Sequence, residues 1–324
     1  MKISVFEISS PGKEYLKEKL KGHSVSINRG SLDAKGASKA KDADAIIVFI
    51  HSKINKELLD KLKNLKLVCT MSAGYDHIDV DYCSKKGIKV CNIPEYGKNT
   101  IAEFTLGLIL AFSRKINSIS SFSEIGDDKN LGFDLNGKTI GIVGVGRIGG
   151  TILKMVQALG MKVIAFDHFK DQKWAELLGF RLVSMEELLA SSDIISMHIP
   201  CDSSTYHMIN MKNVSLIKKG AFLVNTARGG LVDLKAVVYA LEKGILSGAA
   251  IDVFEEENSM MKGKNSSDVK KLKKMKNVIL TYHHAYKSRE SVKRIIDETL
   301  HNIERFSSNV PVNLIRPSWE KSRN

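Results

Sequence analysis

The chain has 324 residues, 43% hydrophobic and 26% charged, with a formal net charge of +13 at pH 7. These are the proportions of an ordinary globular protein, and the length suggests about two domains, each able to bury its own core. The charge is not carried on any recognisable nucleic-acid-binding module, which excludes that class of partner.

In chain order, residues 2–8 include a charge and read as a first strand rather than a signal peptide. Strand-like runs at 3–8, 25–28, 45–50, 67–70 and 89–93 alternate with helix-like stretches at 13–20, 56–62 and 80–85. That alternation implies a parallel sheet with helices on both faces. Pro94-Glu95-Tyr96-Gly97 punctuates the end of this region. Asn99 reads as the N-cap of a long helix reaching to about residue 120. Its most apolar part, 104–112, is about half the length needed to span a bilayer. A glycine- and charge-rich loop at 126–137 follows. Lysines scattered over 13–21 and 53–66 read as a solvated face, and the competing reading is a field that draws in anionic ligands. Cys69, Cys83, Cys91 and Cys201 have no CxxC spacing and read as buried thiols in a reducing compartment, so a cytoplasmic enzyme fits.

The most informative segment is Gly144-Val145-Gly146-Arg147-Ile148-Gly149. It follows an apolar strand at 139–143 and opens a helix at 148–159, and a second strand at 162–166 ends at Asp167. That order is what a dinucleotide-binding βαβ unit requires. Gly144 allows the tight turn, Gly146 lets backbone amides approach a pyrophosphate, and Gly149 lets helix and strand pack closely. The helix N-terminus faces the phosphates. Asp167 is placed to accept hydrogen bonds from a ribose 2′-OH and to repel a 2′-phosphate, which favours NAD over NADP. Strands at 181–183, 193–199, 221–226, 248–253 and 278–281 complete a doubly wound sheet. Residues 262–276 read as a polar, lysine-rich loop, and an amphipathic helix at 288–306 returns to the first domain.

Three further segments sit at strand ends, where ligands bind in open α/β sheets. Arg228, beside Gly229 and Gly230, can point a guanidinium fork at a carboxylate, and a loop-bridging arginine is the plainer reading. Among Glu255, Glu256 and Glu257 the sequence does not distinguish a functional glutamate from a solvated loop. His283 and His284 lie on what reads as an extended segment, so at most one faces a cleft, and no metal-ligand set is evident.

These pieces resemble the D-isomer-specific 2-hydroxyacid dehydrogenase family over nearly the whole chain. The resemblance is carried by Ser72-Ala73-Gly74-Tyr75-Asp76-His77-Ile78-Asp79, Asn99-Thr100-Ile101-Ala102-Glu103-Phe104, the glycine motif, and residues 224–233, 248–257 and 281–285. The longer loop after Glu257 and the Ala285-Tyr286 ending look like the D-lactate dehydrogenase branch. The resemblance implies an α/β fold with a doubly wound Rossmann NAD-binding domain at 99–287. A smaller flavodoxin-like substrate domain would comprise 1–98 and 288–324, completed by the C-terminal helix. NAD is the implied cofactor, at Gly144, Gly146, Arg147, Ile148, Gly149, Asp167, Ile199, Pro200, Thr205, Thr226, Ala227, Arg228 and Asp252.

The same resemblance implies that Arg228 binds the substrate carboxylate and carbonyl and that His283 is the general acid–base. Glu257 is paired with His283, since a neighbouring carboxylate favours the charged imidazole. Substrate contacts fall to Ala73, Gly74, Tyr96, Arg228, His283 and Tyr286. The implied reaction interconverts a 2-keto acid and a D-2-hydroxy acid, pyruvate and D-lactate first, in a cleft closed against water. Alternatives are another keto acid, such as hydroxypyruvate or a branched-chain one, or an NAD-sensing corepressor-like binding protein. A homodimer is implied, with Ile101, Phe104, Leu108 and Phe112 suited to its interface. The chain departs from the family at Tyr282, where proline is usual, and at Met71, where the lactate branch has arginine.

Overall fold

The structure, a computed structural model, describes residues 1–8, 10–116, 131–168 and 171–321. The predicted end of the long helix beyond 116 and the first part of the 126–137 loop lie outside the described residues. Contacts divide the chain into two units, Met1–Gly97 with Lys287–Asn324, and Lys98–Tyr286.

In the first unit, β1 (Lys2–Val5), β2 (Ser24–Ile27), β3 (Ala45–Val48), β4 (Leu67–Thr70) and β5 (Lys89–Cys91) form a parallel sheet in the order β2-β1-β3-β4-β5. Every residue of β3 and β4 is buried, as a parallel sheet covered on both faces demands, whereas β2 at the edge is only half-buried. Helices α1 (Ser10–Lys19), α2 (Lys56–Leu59) and α3 (Val80–Lys85) supply the crossovers. A 3₁₀ turn at Ala34–Ala40, which the sequence reading missed, is capped by Asp33 accepting from the amides of Lys35 and Gly36. Strands β1 and β3 stop short of their predicted ends for one reason. Glu7 takes a left-handed φ of 59°, and its carboxylate accepts from the amides of Phe49 (3.1 Å) and His51 (2.9 Å) and from the Ser52 hydroxyl.

The second unit opens with α4 (Lys98–Ser113). Asn99 lies inside its first turn rather than capping it, because the helix already begins at Lys98. The sheet that follows has seven parallel strands, β6 (Thr139–Val143), β7 (Lys162–Phe166), β8 (Arg181–Leu182), β9 (Ile194–Met197), β10 (Ala221–Asn225), β11 (Leu246–Ile251) and β12 (Val278–Leu280). Their order is β12-β11-β10-β9-β6-β7-β8, a doubly wound arrangement whose direction reverses between β6 and β9. Crossovers are made by α5 (Arg147–Ala158), α6 (Gln172–Leu177), α7 (Met185–Ser191) and α8 (Leu234–Glu242).

On one face of this sheet α4 packs Phe112 flat against Phe222, with ring centroids 3.8 Å apart. Leu108 and Phe112 are therefore core residues of their own unit. The segment after α9 (Glu257–Met260) is not all loop. Within 262–276, Ser266 caps a short helix, α10 (Ser267–Leu272), whose Val269 and Leu272 are buried against α8. Two apolar residues among so many lysines are too few to show a helical period in the sequence. The chain ends in the first unit, where α11 (Arg289–Ser307), capped by Ser288, packs on α1 and β4. Cys69, Cys83 and Cys91 are buried, and burial pushes the Cys83 thiol up to about 12. Among the described residues, no helix is long and apolar enough to cross a membrane.

Candidate active site

The switch point between β6 and β9 is built by two close approaches. Gly144, at a φ of 95°, sits so near the chain leaving β9 that a Cβ there would lie 2.7 Å from the Ile199 amide nitrogen. A Cβ at Gly149 would lie 2.0 Å from the Gly144 carbonyl oxygen, so α5 meets β6 without room for a side chain. Gly146 differs from both: a Cβ there would meet none of the described residues within 4 Å. It is the N-cap of α5 and supplies no side-chain cap, so the first amides of this twelve-residue helix turn toward open space. Asp167, just past β7, accepts from the Val145 amide at 2.6 Å and is held beside the glycine loop. Anion-ready amides, an open cradle and a fixed carboxylate at the end of the next strand fit a dinucleotide.

Of the other predicted cofactor residues, Ile199, Pro200 and Thr205 follow β9, and Thr226 and Ala227 follow β10. Thr205, buried, donates to the Pro200 carbonyl (2.7 Å) and accepts from the Asp202 amide (2.8 Å), so its hydroxyl shapes the loop that follows Ile199. Thr226 pairs with the Thr105 hydroxyl of α4 at 2.8 Å, and the Ala227 amide donates to Asn225 Oδ1 at 3.1 Å. Arg147 and Ile148 are the first two residues of α5.

His198, just past β9, is a residue the sequence reading missed. Its ring Nε2 is 2.8 Å from the Ser196 hydroxyl, and burial pushes its pKa down to about 4 from 6.5. The sign follows from linkage: above pH 6.5 both folded and unfolded imidazoles are neutral and the fold bears no penalty. Below it the unfolded chain takes up the proton first, so stability is lost as pH falls toward 4, by at most about 3 kcal/mol. Urea unfolding between about pH 7 and about pH 4.5 should show this decline, and His198→Gln should flatten it. An equal slope in the variant would assign the decline to other groups.

Three candidate catalytic residues come from three neighbouring strands, β10, β11 and β12, whose last residues Asn225, Ile251 and Leu280 are register partners. Arg228 follows β10. Its turn is held by Asn225 Nδ2 donating to the Arg228 carbonyl (2.8 Å), and Arg228 Nη1 donates to the Ala227 carbonyl (2.8 Å). Gly229 brings that turn onto the chain following β11: a Cβ there would lie 2.2 Å from the Phe254 carbonyl carbon.

Glu257 follows β11, and His283 follows β12. His283 Nδ1 lies 2.8 and 3.0 Å from the two Glu257 oxygens, and Glu257 Oε1 also accepts from the Phe254 amide at 3.0 Å. The run of acids is thereby resolved. Glu257 orients His283, while Glu255 binds the ring of His207 and accepts from the Tyr206 hydroxyl at 3.3 Å, with Tyr206 stacked on His207. Nothing in the sequence pairs residues so far apart. The Tyr286 ring stands edge-on to His283, centroids 6.1 Å apart.

The expectation that 281–285 is extended does not hold. Tyr282 and His283 both take left-handed conformations, φ 50° and 57°, which cost roughly 1–3 kcal/mol each in non-glycine residues. Asp252 holds the turn in place. Its fully buried carboxylate accepts from the Thr281 hydroxyl (2.6 Å) and from the amides of His284 (2.7 Å) and Ala285 (3.1 Å). Its carbonyl accepts from the His283 amide at 2.5 Å. Proline, locked near φ of about −65°, could not stand where Tyr282 does, so the departure from the family pattern belongs to this backbone.

In the first unit, the Ala73 carbonyl accepts from Asn92 Nδ2 (2.7 Å) and the Gly74 carbonyl from the Ser72 hydroxyl (2.6 Å), fixing that turn. Tyr96 is buried, and its carbonyl accepts from Arg294 Nε at 2.8 Å. Met71, where an arginine would have added charge, is buried.

The chain resembles known proteins over most of its length. The family model for D-isomer specific 2-hydroxyacid dehydrogenase, NAD binding domain, matches residues 106–285. A 2-hydroxyacid dehydrogenase homolog of Zymomonas mobilis is 37% identical over 297 residues, covering 87% of this chain and 89% of the relative. A glyoxylate reductase of Thermococcus litoralis is 35% identical over 288 residues, covering 86% and 85%. Among solved structures, D-lactate dehydrogenase from Aquifex aeolicus, complexed with NAD and lactic acid, superposes with a TM-score of 0.88 at 35% identity, covering 95% of this chain and 96% of that one.

Proposed function

We propose that this chain, which belongs to the D-isomer specific 2-hydroxyacid dehydrogenase family and uses NAD, interconverts pyruvate and D-lactate. The observation that carries the reading is the His283–Glu257 pair, with Arg228, at the ends of three adjacent strands.

The roles proposed for this chain's residues follow from that arrangement. Glu257 engages Nδ1 of His283 and fixes the ring, so Nε2 is the nitrogen that carries a proton to the substrate carbonyl oxygen. Arg228 presents a planar fork that binds the substrate carboxylate and stabilises charge developing on the carbonyl oxygen. Bound NADH supplies the hydride. The amides at the start of α5, with Gly146 leaving them uncovered, hold its pyrophosphate, and Asp167 holds the adenosine ribose. Asp252 acts one step back in this account, because its carboxylate is spent on the turn that carries His283.

The preference for a small substrate draws on Tyr286, whose ring stands edge-on to His283. A homodimer is part of the same proposal. Its support is the outward side of α4, where a Cβ built on Gly107 would meet none of the described residues within 4 Å and Leu110 is 36% exposed.

The test is NADH oxidation with pyruvate, glyoxylate, hydroxypyruvate and 2-ketoisocaproate, repeated with NADPH. Highest kcat/KM for pyruvate with NADH supports the proposal, and a clear preference for another acid replaces the substrate but keeps the reaction. Tight NADH binding without turnover of any acid would favour a binding protein instead.

A further inference from the structure

Four residues in the second unit form a closed ring of contacts around the proton donor. The Phe254 amide donates to Glu257 Oε1 at 3.0 Å, and Glu257 holds His283 Nδ1 at 2.8 Å. His283 is joined through its backbone to Tyr282, whose ring stacks on the Phe254 ring with centroids 5.7 Å apart and planes 21° apart. Lys273 Nζ, from the residue after α10, lies 5.3 Å from the centroid of the Tyr282 ring. Phe254 is buried and Tyr282 is 45% exposed, so the stack anchors a surface aromatic onto a core one.

Tyr282 and His283 also hold the two left-handed backbone positions of this turn. Asp252 grips the amides of His284 and Ala285 and, through its carbonyl, that of His283, the three residues that follow Tyr282. The ring of Tyr282 is the contact that joins this residue to the segment carrying Glu257. Its phenol hydroxyl is not needed for stacking, whereas its aromatic face is.

We propose that Tyr282 is a positioning residue: by stacking on Phe254 under Lys273, it sets the alignment of His283 with Glu257. The inference rests on the dehydrogenase reading of that pair. The role belongs to the ring and not to the backbone conformation alone. A glycine at 282 would adopt the left-handed φ without strain yet could not close the ring of contacts.

Three variants separate these possibilities: Tyr282→Phe, Tyr282→Ala and Tyr282→Gly. The alanine and glycine variants should lower kcat for keto-acid reduction by about tenfold to a hundredfold, the range that misplacing a catalytic group produces. KM for NADH should be unchanged, and Tyr282→Phe should restore kcat to within about twofold, the stacking face being kept. A second readout needs no turnover. The downfield proton on His283 Nδ1, assigned by its loss in His283→Gln, should persist by NMR in the wild type and in Tyr282→Phe. It should broaden or vanish in the alanine and glycine variants.

Wild-type kcat in Tyr282→Ala, or in Tyr282→Gly alone, overturns the proposal, as does Tyr282→Phe failing as badly as alanine. Loss of turnover with the Nδ1 proton intact overturns it too. If the wild type reduces no keto acid, the functional reading fails separately, and the NMR signal alone then decides whether Tyr282 aligns the pair.

Discussion

Replacing His283 by alanine is expected to lower kcat for keto-acid reduction by about 10²–10⁴-fold, the usual worth of a positioned general acid. The fall should appear in kcat and kcat/KM alike, because the proton moves to the carbonyl oxygen only as the transition state forms. Nucleotide binding should survive. The open cradle at Gly146 and the carboxylate of Asp167 belong to the loops after β6 and β7, on the far side of the switch point from β12. The fold should survive as well, since Asp252 grips this turn mainly through backbone amides, which alanine retains. Glu257 keeps the Phe254 amide as a partner when the imidazole is removed. Steady-state kinetics with pyruvate, alongside NADH fluorescence titration, check both halves. A variant that turns over at the wild-type rate would remove His283 from the reaction, and one that loses NADH binding would show that the substitution reached beyond the proton donor.

The cofactor half of this site is legible in the sequence because it is local. The strand, glycine turn, helix, strand and acid between Thr139 and Asp167 lie within one βαβ unit, and β6 and β7 fall on the residues their apolar runs indicate. The catalytic half is different. Arg228, Glu257 and His283 come together only because β10, β11 and β12 are neighbours, and strand order is a property of the whole sheet. The resemblance to a known family could name these residues, but spacing alone could not choose Glu257 over Glu255. What separates those two glutamates is that one meets His283 and the other His207. The histidine segment misled for another reason. A short run after a strand reads as extended, and only the buried carboxylate of Asp252, about thirty residues earlier, folds it into consecutive left-handed turns. Likewise α10 is hidden because its burial rests on Val269 and Leu272 alone.

Replacing Arg228 by glutamine should cost more than the loss of one hydrogen bond if, as proposed above, the guanidinium serves two partners at once. In that role it would bind a carboxylate in the ground state and a developing oxyanion in the transition state, so KM for the keto acid should rise while kcat falls. Removing one oxyanion donor typically costs about 3–4 kcal/mol, and loss of the charged carboxylate contact adds to it. The combined expectation is a fall in kcat/KM of about 10³–10⁵-fold, at about 1.4 kcal/mol for each factor of ten. Glutamine is the informative substitution, since it keeps length and a donor while removing charge and fork. Lysine returns the charge without the planar fork and should recover only part of the loss. The turn itself should hold in both variants, because Asn225 Nδ2 grips the Arg228 carbonyl and Gly229 packs its backbone against Phe254, contacts independent of the side chain. The split between KM and kcat is therefore diagnostic. A rise in KM alone would confine Arg228 to substrate binding, and a fall in kcat alone would confine it to the oxyanion. Unchanged values for both would return Arg228 to the plainer role of bridging two loops, leaving the His283–Glu257 pair without a group to hold its substrate.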